Sequence, residues 1–122
     1  KVDKCIARWA TIVREASKQA HRARVPEVGP LVSTAHLVTL ASTSRMLLLE
    51  PTATTALTSV SLRDETADIV LVVGPEGGFS PEELERLTAA GATQVRLGDT
   101  VLRTSTAGPA AIAVVSALLA RW

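Results

Sequence analysis

"DIVLVVGPEGGFSPEELERL", residues 68–87, decides how the rest of the chain reads. The run 69–73 is short, continuously apolar and rich in β-branched residues, which predicts a strand covered on both faces. Ser80 suits a helix N-cap, Pro81 the first helical position, and Glu83 completes an S-x-x-E capping box. Leu84 and Leu87 give the predicted helix, 81–90, an apolar stripe, and Gly91 stops it. Residues 74–79 therefore form a strand-to-helix loop at the carboxyl end of a strand, where ligands bind in open α/β sheets. Three glycines there permit positive φ or close approach of the backbone to a ligand. A tight connection needing glycine for geometry alone explains them equally well. The loop is neither G-x-G-x-x-G nor a P-loop, because no G-K-[ST] follows. Glu76 would repel a phosphate, so a ligand with a cationic or hydroxyl-rich part suits it better.

The flanking sequence repeats the pattern. "RMLLLEP" (45–51) predicts a buried strand closed by Pro51, and "TQVRLG" a strand at about 93–97. Ile6, Trp9, Val13, Ala16 and Ala20 recur at spacings of three and four, predicting a helix over 3–22. Pro26 and Pro30 bracket a loop. "STAHLVTLAS" predicts a short helix capped by Ser33 or Thr34, and "TTALTSVSL" another. A last helix is expected from about Thr106 to the end, with Pro109 in its first turn, where proline is tolerated. Alternating strands and helices are the α/β pattern. The sheet is expected to be mostly parallel with flanking helices. The loops at 50–54, 74–79 and 98–105 should then open on one edge, where a ligand would touch all three. The final "AAIAVVSALLARW" is apolar on nearly every face, so burial all round is expected, with a second subunit as the cover.

Composition narrows the classes. A length of 122 residues suits one domain with a real core. The lone Cys5 gives no disulfide framework and fits a reducing compartment. No stretch is long and apolar enough to span a membrane, no signal peptide pattern opens the chain, and no metal-ligand cluster stands out; a cytoplasmic location without membrane or metal is expected. The net charge of +1 hides an asymmetry. Residues 1–24 hold seven Lys/Arg against two acids, net +5, and the remaining 98 hold six against ten, net −4. A basic first helix carrying Arg8, Arg14, Lys18, Arg22 and Arg24 suggests a polyanion-facing edge; a solvated helix face is the plainer account. Three aromatic residues, Trp9, Phe79 and Trp122, are too few for a base-stacking platform.

"GPEGGFSPEE" followed some twenty residues later by "LGDTVLRTSTA", with "LLLEP" and "ARWATIVREASKQAHRARVPEV" ahead of them, resembles the SPOUT methyltransferases. Within that superfamily the chain is similar to the bacterial 16S ribosomal RNA uracil-N3 methyltransferases, over nearly all of its length. The resemblance implies a parallel sheet with a C-terminal trefoil knot, bound S-adenosylmethionine, a homodimer, and a uridine of 16S rRNA in the 30S subunit as substrate. It also implies an upstream PUA-like RNA-binding domain and a first strand and helix ahead of Lys1. Residues 1–122 are therefore expected to be a SPOUT-like catalytic domain lacking both. Where the family often has Glu, this chain has Ser105, which removes an acid from that position.

On this resemblance the cofactor would be held by Gly74, Gly77, Gly78, Leu97, Gly98 and Leu102 through main-chain groups, with Leu49, Pro75, Val101, Arg103 and Thr106 beside them. Glu50 and Glu76 would take a ribose hydroxyl or the cofactor's ammonium, although loop solvation or capping also accounts for them. Attack by uracil N3 requires loss of its proton. Arg103 is the catalytic residue expected to stabilise the resulting anion at O2 or O4; pairing with a phosphate or with Glu76 is its other possible role. No side chain stands out as the general base: His21 and His36 lie outside the three loops. Thr104 and Thr106 most simply cap the last helix. A non-catalytic RNA-binding or dimerisation module, and methylation of another RNA such as transfer RNA ribose, are the competing readings.

Overall fold

The computed structural model describes residues 2–20 and 24–121. It forms two compact units, one ending at residue 33 and the other beginning at residue 34. In the first, α1 (Val2–Gln19) forms as predicted, but of the expected apolar stripe Trp9, Ala16 and Ala20 are exposed, and the one buried residue of the helix is Ser17. Ile6 and Val13 are half-buried, but Trp9 is 59% exposed. It lines a shallow apolar groove with Val2, Cys5 and Ile6 against residues 28–31. The expected last turn of this helix, residues 21–22, lies outside the described residues.

The second unit holds α2 (Thr34–Ala41), β1 (Arg45–Leu49), a single 3-10 turn (Leu57–Ser59), β2 (Ile69–Val73), α3 (Pro81–Ala89), β3 (Thr93–Val95) and α4 (Thr104–Leu118). The three strands make a wholly parallel sheet in the order β2-β1-β3, with Leu47 opposite Leu71 on one side and Thr93 on the other. The period-2 alternation of β1 sorts its side chains between two cores. Leu47 and Leu49 face Leu57, Val60, Leu62, Ala111 and Val115. Met46 and Leu48 face Ala41, Leu87 and Ala92. Helices α2 and α3 thus cover one face, and α4 with the 3-10 turn covers the other. Met46, Leu47 and Leu48 are fully buried, and each such side chain contributes about 1.5–3 kcal/mol.

The capping box forms as the sequence predicts: the Ser80 N–H donates to Glu83 Oε1 (2.8 Å) and the Glu83 N–H to Ser80 Oγ (3.2 Å). Three expectations need correction. Strand β2 is half-buried along its whole length rather than covered on both faces, because among the described residues it has β1 as its one strand neighbour. The helix expected in "TTALTSVSL" shrinks to Leu57–Ser59. Its backbone is diverted: the Arg96 N–H donates to the Thr55 carbonyl, the Leu57 N–H to the Arg96 carbonyl (both 2.9 Å), and the Arg96 guanidinium to the Thr54 carbonyl (2.9 Å). The last helix starts at Thr104, with Arg103 in the extended N-cap position and no side-chain cap. Pro109 is consequently its sixth residue, where the Ser105 carbonyl loses its usual N–H partner. Within the single chain, α4 buries one stripe, Ala111 and Val115, and leaves Ile112 57% exposed, on the helix for which a second subunit is the expected cover.

Helix α4 ends in a Schellman arrangement: the Arg121 N–H donates to the Ser116 carbonyl and the Ala120 N–H to the Ala117 carbonyl. Ala120 sits there at φ 58°, a left-handed conformation in which a Cβ is unfavourable. Ala120→Gly should raise the stability of the chain by about 0.5–1 kcal/mol, measured from the urea midpoint. An unchanged or lowered midpoint would contradict this account of the helix end.

Candidate functional site

Three parallel strands deliver their following loops to one edge of the sheet. The crossover from β2 to β3 passes over β1, so the loops of all three strands converge there. A cavity of about 510 Å³ opens at that edge, within the usual size range of small-molecule sites. Its wall is built from residues 49–51 after β1, residues 73–79 except 77 after β2, and residues 97–107 except 99 and 106 after β3.

Eleven of the residues singled out for the cofactor line this wall: Leu49, Glu50, Gly74, Pro75, Glu76, Gly78, Leu97, Gly98, Val101, Leu102 and Arg103. Gly77 and Thr106 do not. Pro51, Val73, Phe79, Thr100, Thr104, Ser105 and Ala107 line it without having been singled out. Their signal was position alone, since each adjoins a predicted residue in the same three loops.

The glycines separate by cause. Gly78 and Gly98 have φ of 79° and 77°, and a Cβ at either would meet nothing within 4 Å. Dihedral demand, not crowding, requires glycine at both. The Gly78 N–H closes the turn onto the Pro75 carbonyl at 2.8 Å. Gly74 is confined instead: a Cβ there would stand 3.4 Å from the Gly78 carbonyl carbon and from the Phe79 ring. The expected capping by Thr104 and Thr106 is not found. A capping side chain must stand on the extended residue before the first turn, and that residue is Arg103. Thr104 donates its hydroxyl to the Gly74 carbonyl (3.3 Å) and so ties the third loop to the second.

Three charged side chains face the cavity among its described lining residues: Glu50, Glu76 and Arg103. Glu50 is 8% exposed. Its carboxylate accepts one hydrogen bond, from the Thr52 hydroxyl at 3.4 Å. Glu76 is exposed at the rim. Arg103 is exposed as well, and its guanidinium makes no ion pair or hydrogen bond with any described residue, so the pairing with Glu76 does not form. An apolar wall, a buried carboxylate and one exposed cation among the described lining residues suit a ligand with a flat apolar part and a charged tail.

The basic residues expected to meet RNA lie in the first unit. Arg8, Arg14 and Lys18 are exposed along α1, and Arg24 is exposed after it; Arg22 lies outside the described residues. Lys18 pairs with Glu15 at 3.2 Å with both side chains more than half exposed, a contact of little energetic weight. His36 is exposed on α2 and does not line the cavity; His21 lies outside the described residues. Among the described residues no three His, Cys, Asp or Glu side chains group to hold a metal ion. No described helix is long and apolar enough to cross a membrane.

Comparison with known proteins places this arrangement. The family model for an RNA methyltransferase domain matches residues 1–116. The ribosomal RNA small subunit methyltransferase E of Mycobacterium bovis is 44% identical over the whole chain, which covers 48% of that protein. The protein of the same name from Bacillus subtilis is 32% identical, with 95% of the chain and 48% of the relative aligned. Among solved structures, ribosomal RNA small subunit methyltransferase E from Neisseria gonorrhoeae, bound to S-adenosyl methionine, superposes with a TM-score of 0.86 at 36% identity, over 96% of this chain and 49% of that one. The chain thus spans about half the length of the relatives it matches. With a match running through all three loops of the cavity, the chain belongs to the RNA methyltransferase domain family.

Proposed function

We propose that residues 1–122 form the catalytic domain of an S-adenosylmethionine-dependent methyltransferase acting on N3 of a uridine in 16S rRNA of the 30S subunit. The observation that carries this reading is the cavity itself, which residues of "GPEGG" and "LRT" line together with one buried carboxylate, Glu50, and one cation, Arg103, that no described residue pairs. The names of the relatives, and the cofactor held by the Neisseria protein, support it.

The residues present fit that cofactor. Gly78 and Gly98, at positive φ, turn the main chain around the cavity and leave no side chain in the way. Leu49, Val73, Leu97 and Leu102 supply apolar wall for the adenine. Bound there, S-adenosylmethionine supplies an electrophilic methyl group. Arg103 stabilises the uracil anion left when N3 loses its proton, and the loops hold the two reactants in line. Trefoil knotting of the C-terminal part would fix the three loops against one another. A homodimer would cover the outward face of α4, where Ile112 and Pro109 are exposed. The basic face of α1 would contact RNA phosphates, in the cytoplasm. The upstream domain and first strand-helix implied by the resemblance would do the remaining RNA recognition.

Gly78→Val tests the reading. Valine at φ 79° is strained by about 1–2 kcal/mol and re-aims the loop. S-adenosylhomocysteine binding should be lost in calorimetry while far-UV circular dichroism stays near that of the parent. Unchanged affinity would remove the cofactor reading. The base is checked separately, because methylation at N3 blocks the Watson–Crick edge and stops primer extension at one uridine of treated 30S RNA. Read-through with label incorporated elsewhere would refute N3.

A further inference from the structure

We propose that Glu50 is the counter-charge for a cationic centre of the bound cofactor. The inference rests on the cofactor reading above and deepens it. Glu50 follows the central strand directly, and its N–H is fixed to the Val95 carbonyl at 2.9 Å. The residue is more than nine-tenths buried and lines the cavity with Leu49 and Leu97. Removing a carboxylate from water is costly unless a cation or several donors replace the water. Among the described residues the replacement is the Thr52 hydroxyl at 3.4 Å, near the limit of a hydrogen bond. No described cation pairs with it. The carboxylate therefore faces a ligand cavity with one long hydrogen bond and no described cation to balance it.

A ribose diol would donate hydrogen bonds to this carboxylate but leave the charge uncompensated. A cation satisfies both needs, and the low-dielectric wall strengthens the attraction. Glu76 is a poorer candidate, because at the exposed rim water screens it. S-adenosylmethionine offers two cationic centres, the sulfonium and the α-ammonium. Analogues separate them: S-adenosylhomocysteine keeps only the ammonium, and 5′-methylthioadenosine has neither.

The test compares the chain with its Glu50→Gln variant, by calorimetric titration with these three compounds and by melting of the ligand-free protein. Glutamine keeps the shape and removes the charge. S-adenosylmethionine should bind the variant about ten- to a hundredfold more weakly, with 5′-methylthioadenosine unchanged. Equal weakening of S-adenosylhomocysteine assigns the ammonium, and its sparing assigns the sulfonium. The ligand-free variant should melt higher than the parent, since an unpaired buried charge has gone. Unchanged S-adenosylmethionine affinity, or an equal loss for 5′-methylthioadenosine, would overturn the proposal. A ligand-free variant that melts lower or fails to fold would also overturn it, because Glu50 would then be a structural anchor. Failure of the parent to bind any of the three compounds would instead refute the cofactor reading itself.

Discussion

In a full-length enzyme carrying these residues, Arg103→Lys should slow methyl transfer to 30S subunits about a hundredfold while cofactor affinity stays within about twofold. The expectation starts from the chemistry of uracil. Neutral N3 has no free lone pair, so the reactive species is an anion whose charge lies largely on O2 and O4. A planar guanidinium can hold either oxygen with two parallel N–H donors; an ammonium keeps the charge and loses the fork. Arg103 is the one cation among the described residues lining the cavity, and no described carboxylate neutralises it. Its structural contribution is made by the backbone: the Arg103 carbonyl accepts from the N–H groups of Thr106 (2.9 Å) and Ala107 (2.8 Å). Replacing the side chain therefore leaves the start of α4 intact, and a rate loss can be assigned to the guanidinium. Single-turnover kinetics with saturating cofactor, beside calorimetry of the same variant, makes the check. Equal losses in rate and affinity would mean that Arg103 serves the cofactor or the fold instead.

How much of this site was legible follows from where the information sits. The run 69–73, the Ser80–Glu83 box and "RMLLLEP" are local patterns, and each produced its element within a residue or so. Convergence of the three loops followed from parallel strands alone, so most of the cavity wall could be named in advance. The misses involve partners distant in sequence. Residues 54–57 looked helical, but Arg96, some forty residues later, draws their backbone into bridge-like pairing. Thr104 looked like a cap, yet its hydroxyl reaches Gly74, thirty residues earlier. The half-burial of β2 depends on which strands flank it, and hydropathy cannot report that order. Glu50 carried the least signal: a glutamate before a proline reads as a loop residue, and only the packing of β1 against β3 shows it buried.

Alone, residues 1–122 should bind S-adenosylmethionine but methylate 30S subunits at least about a thousandfold more slowly than the M. bovis relative, which is twice as long. All three loops that line the cavity lie within these residues, so cofactor binding is expected of them without the other half. Substrate positioning is different. The surface expected to meet RNA is the basic side of α1, with Arg8, Arg14 and Lys18 exposed and Arg24 beyond it. Phosphate contacts of that kind give affinity that falls steeply with salt and carries little sequence information. The only described aromatic residues are Trp9 and Phe79, and Phe79 is committed to the cavity wall. Base stacking therefore adds little. Reaction at a single uridine requires N3 to stand in line with the methyl group, and a loosely held RNA satisfies that geometry rarely. A chimera in which these residues replace the matching half of the M. bovis protein should recover most of the lost rate, provided the recognition surface lies in the other half. The assay uses labelled cofactor and 30S subunits at two salt concentrations, with the isolated chain, the chimera and the relative side by side. Comparable rates from the isolated chain and the relative would place the whole recognition surface within residues 1–122. A dead chimera that still binds cofactor would locate the defect in how the two halves pack, not in RNA recognition.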